Sequence, residues 1–319
     1  MFKYAIMGAG DISNKLAEAV ALLPEAEVVA VAARDLNRAE DFAKRHNIPE
    51  AYGNYEEMLL KTKPDCVYIG VVTSKHFETT MLCLKHKIPV LCEKTMFLNS
   101  REARECLDYA KEQGVFVMEA MWSRFLPAIV DAKKQIEEGK IGKVYFVQGN
   151  IGWVCPKGDE NRFYSKALGG GAAYDLLVYP YMISTFLHPK KIVSEQLTVI
   201  PSHTGIDATE QLTVTFEDGV IGSFMATFEC QTNEAVTVCG DKGRIEIPCA
   251  HFAWENTRYD LNKTPYRYVD TETKNGFTYE AQHAMECIKA GLLVSPVVPH
   301  SLTLAFAEVT DKVLAELEK

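Results

Sequence analysis

Apolar and polar positions follow two different rhythms along the chain. In the first third, short apolar runs alternate with segments whose apolar residues recur every three or four positions, which predicts strands and amphipathic helices in turn. Strands that are apolar on both faces are typical of a parallel sheet covered by helices on both sides. The five predicted strands contain KYAIMGAG, EVVAVAARD, DCVYIGVV, PVLCEKT and VFVMEAM. We therefore expect an α/β domain with a doubly wound parallel sheet.

The rhythm changes after about Trp122. One more helix leads into strands of alternating pattern that are separated by EDG and DKG turns, which indicates an antiparallel sheet with one covered face. A glycine-led helix at 172–187 interrupts these strands, and the chain is helical again from Tyr279 onward. The sequence thus predicts two domains: 1–121 with the parallel sheet, and 122–319, an α+β domain with a large, mostly antiparallel sheet.

Composition narrows the class of protein. The chain has 319 residues, of which 47% are hydrophobic, and a formal net charge of −9 without any Lys/Arg cluster, so a nucleic-acid partner is not expected. The apolar N-terminus lacks a signal-peptide pattern, and no stretch approaches the ~18–20 apolar residues that span a bilayer. We expect a cytoplasmic protein with no membrane partner. Nine cysteines without short paired spacings predict buried reduced thiols and no metal site.

The turn after the first strand carries candidate cofactor chemistry. Gly8 and Gly10 lie between a strand and a helix that opens with Asp11 and Ile12, and Ser13 occupies the position of the usual third glycine. Glycine permits the tight turn and lets the backbone approach a pyrophosphate at a helix N-terminus. The pattern is weak alone, but its place in a βαβ unit predicts a dinucleotide site formed by Gly8, Gly10, Asp11 and Ile12.

The end of the second strand bears on the choice of dinucleotide. An acid there binds the ribose 2′-hydroxyl of NAD, whereas an arginine accommodates the 2′-phosphate of NADP. Arg34 follows the strand directly, and Arg38 comes one turn later. A guanidinium offers paired donors to a phosphate, so these residues favour NADP. Asp35, an acid at the same place, is the feature that would instead select NAD. The alternative to a cofactor role is that these charged residues form only a solvated loop.

Lys94, Asp175 and Tyr179 are the three candidates for the chemistry. Glu93 and Lys94 end the fourth strand, at the edge where open α/β sheets bind ligands, while Asp175 and Tyr179 are four residues apart on the glycine-led helix. A phenol with a pKa near ~10 is a poor base at neutral pH, but lowering it to about 8 takes only about 2.7 kcal/mol, within reach of one nearby ammonium. Lys94 and Tyr179 are thus a sensible acid–base pair for alcohol–carbonyl interconversion. The alternatives are a solvated strand-end lysine, a packing tyrosine and a helix-start carboxylate.

Other residues have weaker signals. Tyr174 and Tyr181 are expected to pack, because helical spacing turns them away from Asp175. Trp122 and Arg124 lie where the chain leaves the first domain and are candidates for the cofactor cleft or for packing. The predicted cofactor contacts also include Thr73, His76 and Glu93, with His76 favoured as a loop contact rather than a catalyst. Trp153, Arg162 and Phe163 are candidates to shape a substrate pocket.

Together these stretches resemble the glucose–fructose oxidoreductase / inositol 2-dehydrogenase (Gfo/Idh/MocA) family. The resemblance covers essentially the whole chain and rests on MGAGDIS, AARD, KHFETTMLCL, PVLCEKT, GGGAAYDLLVYP, GDKGRIEIP and SPVVP. MEAMWSRFLP and Tyr179 resemble the branch of dimeric dihydrodiol dehydrogenase and NADP-dependent D-xylose dehydrogenase. That branch implies a Rossmann domain, NADP, and Lys94 and Tyr179 as the catalytic pair. Three positions depart from the family pattern: Thr95 stands for proline, Val71-Val72-Thr73 for Thr-Pro-Asn, and Ser13 for the third small residue.

The sequence therefore predicts an NADP-dependent oxidoreductase acting on a vicinal-diol or sugar hydroxyl. In this reading Tyr179 removes the hydroxyl proton as hydride passes to the nicotinamide, Lys94 lowers the phenol pKa, and Asp175 orients the hydroxyl. The alternatives are an NAD-linked inositol or sugar dehydrogenase and a dinucleotide-binding regulator without turnover, which the retention of Lys94 and Tyr179 disfavours. The family also implies a homodimer or homotetramer formed through the C-terminal sheet.

Overall fold

The chain folds into two compact units in a computed structural model that describes residues 1–319. The first unit comprises Met1–Trp122 and Asn275–Ala307. The second unit comprises Ser123–Lys274 and Glu308–Lys319. The sequence-based boundary placed all of 122–319 in one domain, whereas the structure returns residues 275–307 to the first unit.

The first unit contains a six-stranded sheet in the order β3-β2-β1-β4-β5-β6, with every pair of neighbours parallel. The strands are β1 (Phe2–Met7), β2 (Ala26–Ala32), β3 (Glu50–Tyr52), β4 (Cys66–Ile69), β5 (Val90–Glu93) and β6 (Val117–Ala120). This order defines a doubly wound sheet and confirms the predicted fold class. The sequence analysis missed β3, because three half-exposed residues carry no apolar run.

Helices connect these strands, and their ends follow from local side-chain chemistry. They are α1 (Asp11–Val20), α2 (Leu36–His46), α3 (Tyr55–Thr62), α4 (His76–Lys85) and α5 (Ser100–Gln113). The side chains of Asp35, Asn54 and Asn99 accept backbone N–H groups at the starts of α2, α3 and α5. Gly114 ends α5 in a left-handed conformation with φ +66°, which glycine adopts without cost.

Helix α8 (Phe277–Lys289) belongs to the first unit because its flanking and internal residues bond to that unit. The hydroxyl of the buried Tyr4 donates to the carbonyl of Ala281 at 2.6 Å, and the Asn275 side chain donates to the carbonyl of Lys15 at 2.9 Å. No local sequence pattern predicts that residues 275–307 belong to the first unit, because these contacts join residues more than 250 positions apart. The last helix is α9 (His300–Leu317).

The second unit contains an eight-stranded sheet in the order β14-β13-β12-β11-β7-β10-β9-β8. All neighbouring strands are antiparallel except β7 and β10, which confirms the prediction of a mostly antiparallel sheet. The sequence analysis missed β13 and β14, which are polar on both faces. The strands are β7 (Val144–Gly152), β8 (Ile192–Pro201), β9 (Asp207–Phe216), β10 (Ile221–Thr227), β11 (Val236–Gly240), β12 (Gly243–Ile247), β13 (Glu255–Asp260) and β14 (Pro265–Val269).

Two helices of this unit lie on one face of its sheet: α6 (Pro127–Glu137) and α7 (Val178–Leu187), the latter preceded by a π-helical turn at Ala173–Leu177. From Ala208 to Phe216 strand β9 alternates, with its even-numbered residues buried under the helices, and Asp207 at the start of the strand is buried as well. Gly149 of β7 lets α7 approach closely, because a β-carbon there would lie 2.7 Å from Cβ of Pro180. The helix with the candidate catalytic residues is therefore held tightly against the sheet.

All nine cysteines are free, and six are buried, but Cys230 is exposed, unlike the expected buried thiols. Burial raises the pKa of the buried Cys66 and Cys92 thiols well above the usual value. No helix combines the length and apolar character needed to span a bilayer.

Candidate active site

The carboxyl edge of the parallel sheet forms a turn suited to a dinucleotide. Strands β1 and β4 are neighbours at the point where the strand order reverses, the usual ligand site of such sheets. Gly8 has φ +103°, and a β-carbon there would lie 2.7 Å from the carbonyl oxygen of Gly70. Gly10 precedes α1 without any side-chain cap, so the first N–H groups of α1 are available to an anion. The arrangement has both features that a pyrophosphate requires.

The contacts of Ser13 explain why a serine can occupy the third position of the glycine motif. It is fully buried, and its hydroxyl donates to the carbonyl of Gly8 at 2.6 Å. A β-carbon at Gly70 would lie 2.4 Å from the Ser13 oxygen, so serine is accommodated because Gly70 faces it. The departure from the usual motif therefore ties the glycine turn to α1 rather than disrupting it.

The end of β2 presents two exposed guanidinium groups. Arg34 and Arg38 both lie close enough to Tyr55 to act on its phenol, and a guanidinium nitrogen of Arg38 donates to the carbonyl of Ala9 at 3.4 Å. Asp35, the acid considered above as a ligand of NAD, is the N-cap of α2. Its carboxylate accepts the N–H of Asn37 at 2.9 Å. Positive charge thus adjoins the glycine turn, while the nearby acid has a structural role.

Lys94 directly follows β5, at the same edge of the sheet. The peptide bond between Lys94 and Thr95 is cis. His76 supports this turn: its ring nitrogens lie 3.0 Å from the carbonyl oxygen of Thr95 and 3.1 Å from that of Val71. Burial lowers the pKa of His76 to about 4, so the ring is neutral at pH 7. A neutral imidazole has a single N–H, so His76 donates to one of these two carbonyl oxygens and lies against the other, between the loops after β4 and β5.

Buried carboxyl groups lie beneath the same turn, and sequence reasoning did not anticipate their partners. Glu93 is buried and accepts the Tyr68 hydroxyl at 2.5 Å, and burial raises its pKa to about 7. Glu280 of α8 is fully buried within electrostatic range of Glu93, which helps to raise the pKa of Glu280 well above its usual value. Glu119 accepts the N–H of Met96 at 3.0 Å. Glu93 thus lies inside the first unit and supports the turn from below.

The remaining predicted cofactor contacts have identifiable surroundings in their own units. Thr73 opens a short 3-10 turn after β4 and is half-buried. Trp122 stacks on Phe277 in the first unit with ring centroids 4.6 Å apart. In the second unit the buried Arg124 lies 4.9 Å above the ring of Phe186.

In the second unit the glycine-led helix begins with the π-helical turn that contains Asp175, and Tyr179 follows in the first turn of α7. π-helical turns occur often at functional sites, and residues four apart remain neighbours across one. Tyr174 and Tyr181 are also buried, and Tyr181 packs edge-on against Phe224 with centroids 6.3 Å apart. Tyr181 therefore has the surroundings of a packing residue.

An aromatic cluster surrounds Tyr179. Its ring lies 5.5 Å from the ring of His251, which lies 6.1 Å from the ring of Trp153. His251 also has its Nε2 atom 3.8 Å from a carboxylate oxygen of Glu234. The sequence analysis gave no role to His251, because a lone histidine in a loop has no recognisable spacing. The cluster fixes the plane of the Tyr179 ring and leaves only 9% of the residue exposed.

Asp175 is paired with Arg162, a residue that the sequence analysis associated with the substrate loop. A guanidinium nitrogen of Arg162 lies 3.2 Å from Oδ1 of Asp175, and the guanidinium carbon lies 4.1 Å above the ring of Phe163. The Arg162 side chain is 59% exposed and that of Asp175 is 15% exposed. The Asp175 carboxylate is therefore partly accessible to solvent and is paired with an exposed guanidinium group.

Within the first unit the structure brings together the glycine turn, Arg38 and, on neighbouring strand ends, the His76-supported turn of Lys94. Within the second unit it brings together Asp175, Arg162 and the aromatic cluster around Tyr179. It also reveals Asp207 and Glu210, two buried acids of β9 that sequence reasoning missed. A signal was available for Glu210, because it shares the alternating phase of Leu212, Val214 and Phe216.

Comparison with known proteins agrees with this architecture. Residues 2–121 match the profile of an oxidoreductase family with an NAD-binding Rossmann fold, and residues 129–246 match the GFO/IDH/MocA C-terminal domain. A trans-1,2-dihydrobenzene-1,2-diol dehydrogenase of Sus scrofa is 35% identical, with 99% of this chain and 96% of that protein covered.

Solved structures share the fold. A levoglucosan dehydrogenase in complex with NADH and levoglucosan superposes with a TM-score of 0.89 at 17% identity, covering 99% of this chain and 97% of the other. A 3-ketoreductase from Actinomadura kijaniata in complex with NADP superposes with a TM-score of 0.85 at 20% identity, with the same coverage.

The fold and the glycine turn define a dinucleotide-dependent oxidoreductase. The two matching profiles and the full-length relative place it more narrowly: the chain belongs to the GFO/IDH/MocA family and is an NAD(P)-dependent dehydrogenase.

Proposed function

We propose that this enzyme is an NADP-dependent dehydrogenase that oxidises a vicinal-diol or sugar hydroxyl, with Tyr179 as the acid–base group. The similarity to trans-1,2-dihydrobenzene-1,2-diol dehydrogenase over 99% of the chain carries the proposal. Lys94 at the end of β5 and Asp175 with Tyr179 on one helix supply the chemical groups it needs.

The first unit fits a dinucleotide. The positive φ of Gly8 and the uncapped N-terminus of α1 behind Gly10 leave backbone N–H groups for the pyrophosphate. Asp11 and Ile12 contribute the first N–H groups of that helix. When bound, the nicotinamide supplies the hydride acceptor for alcohol oxidation.

NADP is favoured over NAD by the charges at the end of β2. Arg34 and Arg38 offer two guanidinium groups for a 2′-phosphate, and a bidentate guanidinium is the side chain best suited to one. The carboxylate of Asp35, the acid that would bind the ribose 2′-hydroxyl of NAD, instead accepts the N–H of Asn37.

In the proposed reaction Oη of Tyr179 takes the proton of the substrate hydroxyl during oxidation and returns it during reduction. The Lys94 ammonium stabilises the phenolate, and hence lowers the pKa of the phenol toward neutrality. Asp175 accepts a hydrogen bond from the substrate hydroxyl and orients it, and Arg162 pairs with the same carboxylate. The aromatic cluster fixes the Tyr179 ring, so that the acid–base oxygen is presented in one direction.

The test is Tyr179→Phe, with Tyr181→Phe as a matched control on the same helix. Both substitutions remove one hydroxyl from a buried tyrosine. Single-turnover formation of NADPH is measured with trans-1,2-dihydrobenzene-1,2-diol, aldoses and inositols, and NADP binding by fluorescence titration. We expect Tyr179→Phe to bind NADP normally and to lose at least 10³-fold in rate, of the order expected for acid–base catalysis, ~10²–10⁴. Near-normal turnover in Tyr179→Phe would refute the assignment.

The same screen separates the alternatives. Turnover of inositols or sugars with NAD and not NADP would identify the NAD-linked dehydrogenase, and no turnover by a cofactor-bound wild type would favour a regulator.

We also infer a homodimer or homotetramer formed through the open face of the second sheet. Its outer face carries Ile200 and Ile221, which are 55% and 48% exposed, among threonine and glutamine side chains. Light scattering of wild type and Ile200→Lys would test it: the inference requires a mass of at least two chains for wild type and a lower mass for the variant.

A further inference from the structure

Two acidic side chains are buried where the glycine-led helix begins. Asp207 and Glu210 of β9 are 1% and 0% exposed. They lie on a strand that packs against the π-helical turn of Asp175, and neither touches any cation. Buried carboxyl groups are costly unless they are bonded, so their presence under this helix calls for a specific role.

Asp207 caps the helix. Its Oδ2 atom accepts the N–H of Ala173 at 2.6 Å. No side chain at the helix start provides this cap. The first N–H groups of a helix need acceptors, and a carboxylate there is favoured by the helix dipole. A strand 34 residues further along the chain therefore supplies the cap of the helix that carries Asp175 and Tyr179.

The three glycines make this cap possible. Gly171 has φ +144°, and a β-carbon there would lie 2.4 Å from Oδ1 of Asp207. A β-carbon at Gly170 would lie 2.6 Å from the carbonyl oxygen of Phe163, and Gly169 ends a short 3-10 turn with φ +79°. The glycines thus approach protein atoms, and Gly171 in particular makes room for the capping carboxylate.

Glu210 completes the pair by holding a proton. Both carboxyl oxygens of Glu210 are buried and have no hydrogen-bond partner. Burial and the neighbouring Asp207 carboxylate raise the pKa of Glu210 well above its usual value, so Glu210 is the member of the pair that holds a proton. Burial raises the pKa of Asp207 as well, whereas the hydrogen bond from the N–H of Ala173 acts to lower it. Apolar residues lie beside Glu210 on both neighbouring strands, Val199 on β8 and Ala226 on β10.

Other titratable groups near the pair are already accounted for. On the helix they are Tyr174 and Asp175, the latter paired with Arg162. On the hairpin before β9, His203 lies 3.0 Å from Asp159. The proton of Glu210 is therefore the one whose loss would place two negative charges side by side at the cap.

We propose that Asp207, with the buried Glu210 as its neighbour, is a positioning residue that fixes the start of the glycine-led helix and thereby aims Asp175 and Tyr179. The role attributed to those two residues rests on the proposed function. The capping itself does not. A misplacement of about 1 Å in a positioned catalytic group can cost ~10²-fold in rate, so a helix start of fixed geometry matters for turnover.

Asp207→Asn and Glu210→Gln test the proposal. Asparagine keeps the volume of Asp207 but puts an amide in place of one acceptor oxygen, whereas glutamine keeps the volume of Glu210 and removes its titratable proton. We expect Asp207→Asn to lower kcat at least tenfold while the Kd for NADP changes less than twofold. Glu210→Gln should keep kcat within threefold at pH 7 and extend activity to higher pH than wild type.

Hydrogen exchange of residues 169–181, read by mass spectrometry, provides a readout that is independent of turnover. We expect at least tenfold faster exchange in Asp207→Asn and, for wild type, acceleration at alkaline pH that is absent in Glu210→Gln. Unchanged exchange and unchanged kcat in Asp207→Asn would overturn the proposal, as would identical alkaline profiles of wild type and Glu210→Gln. If Asp207→Asn does not fold, the Glu210→Gln profiles decide. A wild type without turnover on any diol or sugar would refute the proposed function, while the exchange data would still decide the cap.

Discussion

Protonation of His76 is expected to destabilise the turn that carries Lys94. The ring is 1% exposed and lies at the sheet edge. Burial lowers its pKa from 6.5 to about 4, and the charge of Lys94 acts in the same direction. The nearby carbonyl oxygens of Thr95 and Val71 favour the protonated ring but do not outweigh burial. Between pH 6.5 and about pH 4, His76 therefore binds a proton in the unfolded chain but not in the folded chain. The stability contributed by neutral His76 is present above pH 6.5 and is lost as the pH falls toward 4.

The size of the effect follows from the difference between the two pKa values. Each pKa unit corresponds to about 1.4 kcal/mol, so the fall from pH 7 to pH 4 removes about 3 kcal/mol from the free energy of unfolding. Glu93 works in the opposite direction: its pKa is raised to about 7, so its contribution is lost as the pH rises from 4.5 to 7. Glu280 and Glu210, whose pKa values burial also raises, act in the same direction as Glu93, so wild type alone would show the sum of all these groups. The difference between wild type and His76→Gln isolates the histidine.

Two assays measure it. The ring-proton NMR resonance of His76, assigned by its absence in His76→Gln, should stay constant between pH 8 and pH 5.5. In urea unfolding, the stability difference between wild type and His76→Gln should shrink by about 2–3 kcal/mol between pH 7 and pH 4.5, whereas His203→Gln, an exposed control in the second unit, should show no such change. A midpoint of 6 or above for the His76 resonance, or parallel pH profiles for wild type and His76→Gln, would refute the reasoning.

Two further predictions concern the cofactor. Arg34→Ala should weaken NADP binding about 10- to 100-fold, the range of one or two charge-assisted hydrogen bonds, and leave NAD binding unchanged. Lys44→Ala removes an exposed cation of α2, the helix that follows Arg34, and should change neither affinity, as fluorescence titrations will show. Equal losses for both nucleotides would contradict a 2′-phosphate site. Gly8→Ala should abolish binding of both nucleotides and lower the melting temperature, because the new methyl group would lie 2.7 Å from the carbonyl oxygen of Gly70; a folded variant with wild-type affinity would show that no close turn is needed.

Much of the fold was predictable, because buried parallel strands are continuous apolar runs and the strands of the second sheet alternate. The errors have physical causes. Strand β3 is three residues long, and β13 and β14 lack an apolar phase. The return of residues 275–307 to the first unit depends on contacts such as Tyr4 with Ala281, which no local pattern encodes.

Candidate groups for the site could be proposed from the sequence where chemistry follows strand ends or helical spacing, as for Gly8, Lys94 and the Asp175–Tyr179 pair. The sequence analysis favoured His76 as a loop contact, but not its position beside the carbonyl of Thr95. The cap that Asp207 provides to Ala173 was not predictable either, because both contacts join distant segments. Three consecutive glycines were visible in the sequence, but their reason required the position of Asp207.

The pH dependence of NADPH formation in wild type and Lys94→Met tests the central claim most directly. If Tyr179 is the base and the Lys94 ammonium lowers its pKa, the wild-type oxidation rate rises with pH to a midpoint well below 10, the ordinary value of a phenol. The residual rate of Lys94→Met should then have its midpoint at least one pH unit higher, with NADP affinity retained. An unchanged midpoint in Lys94→Met would contradict the pairing of Lys94 with Tyr179.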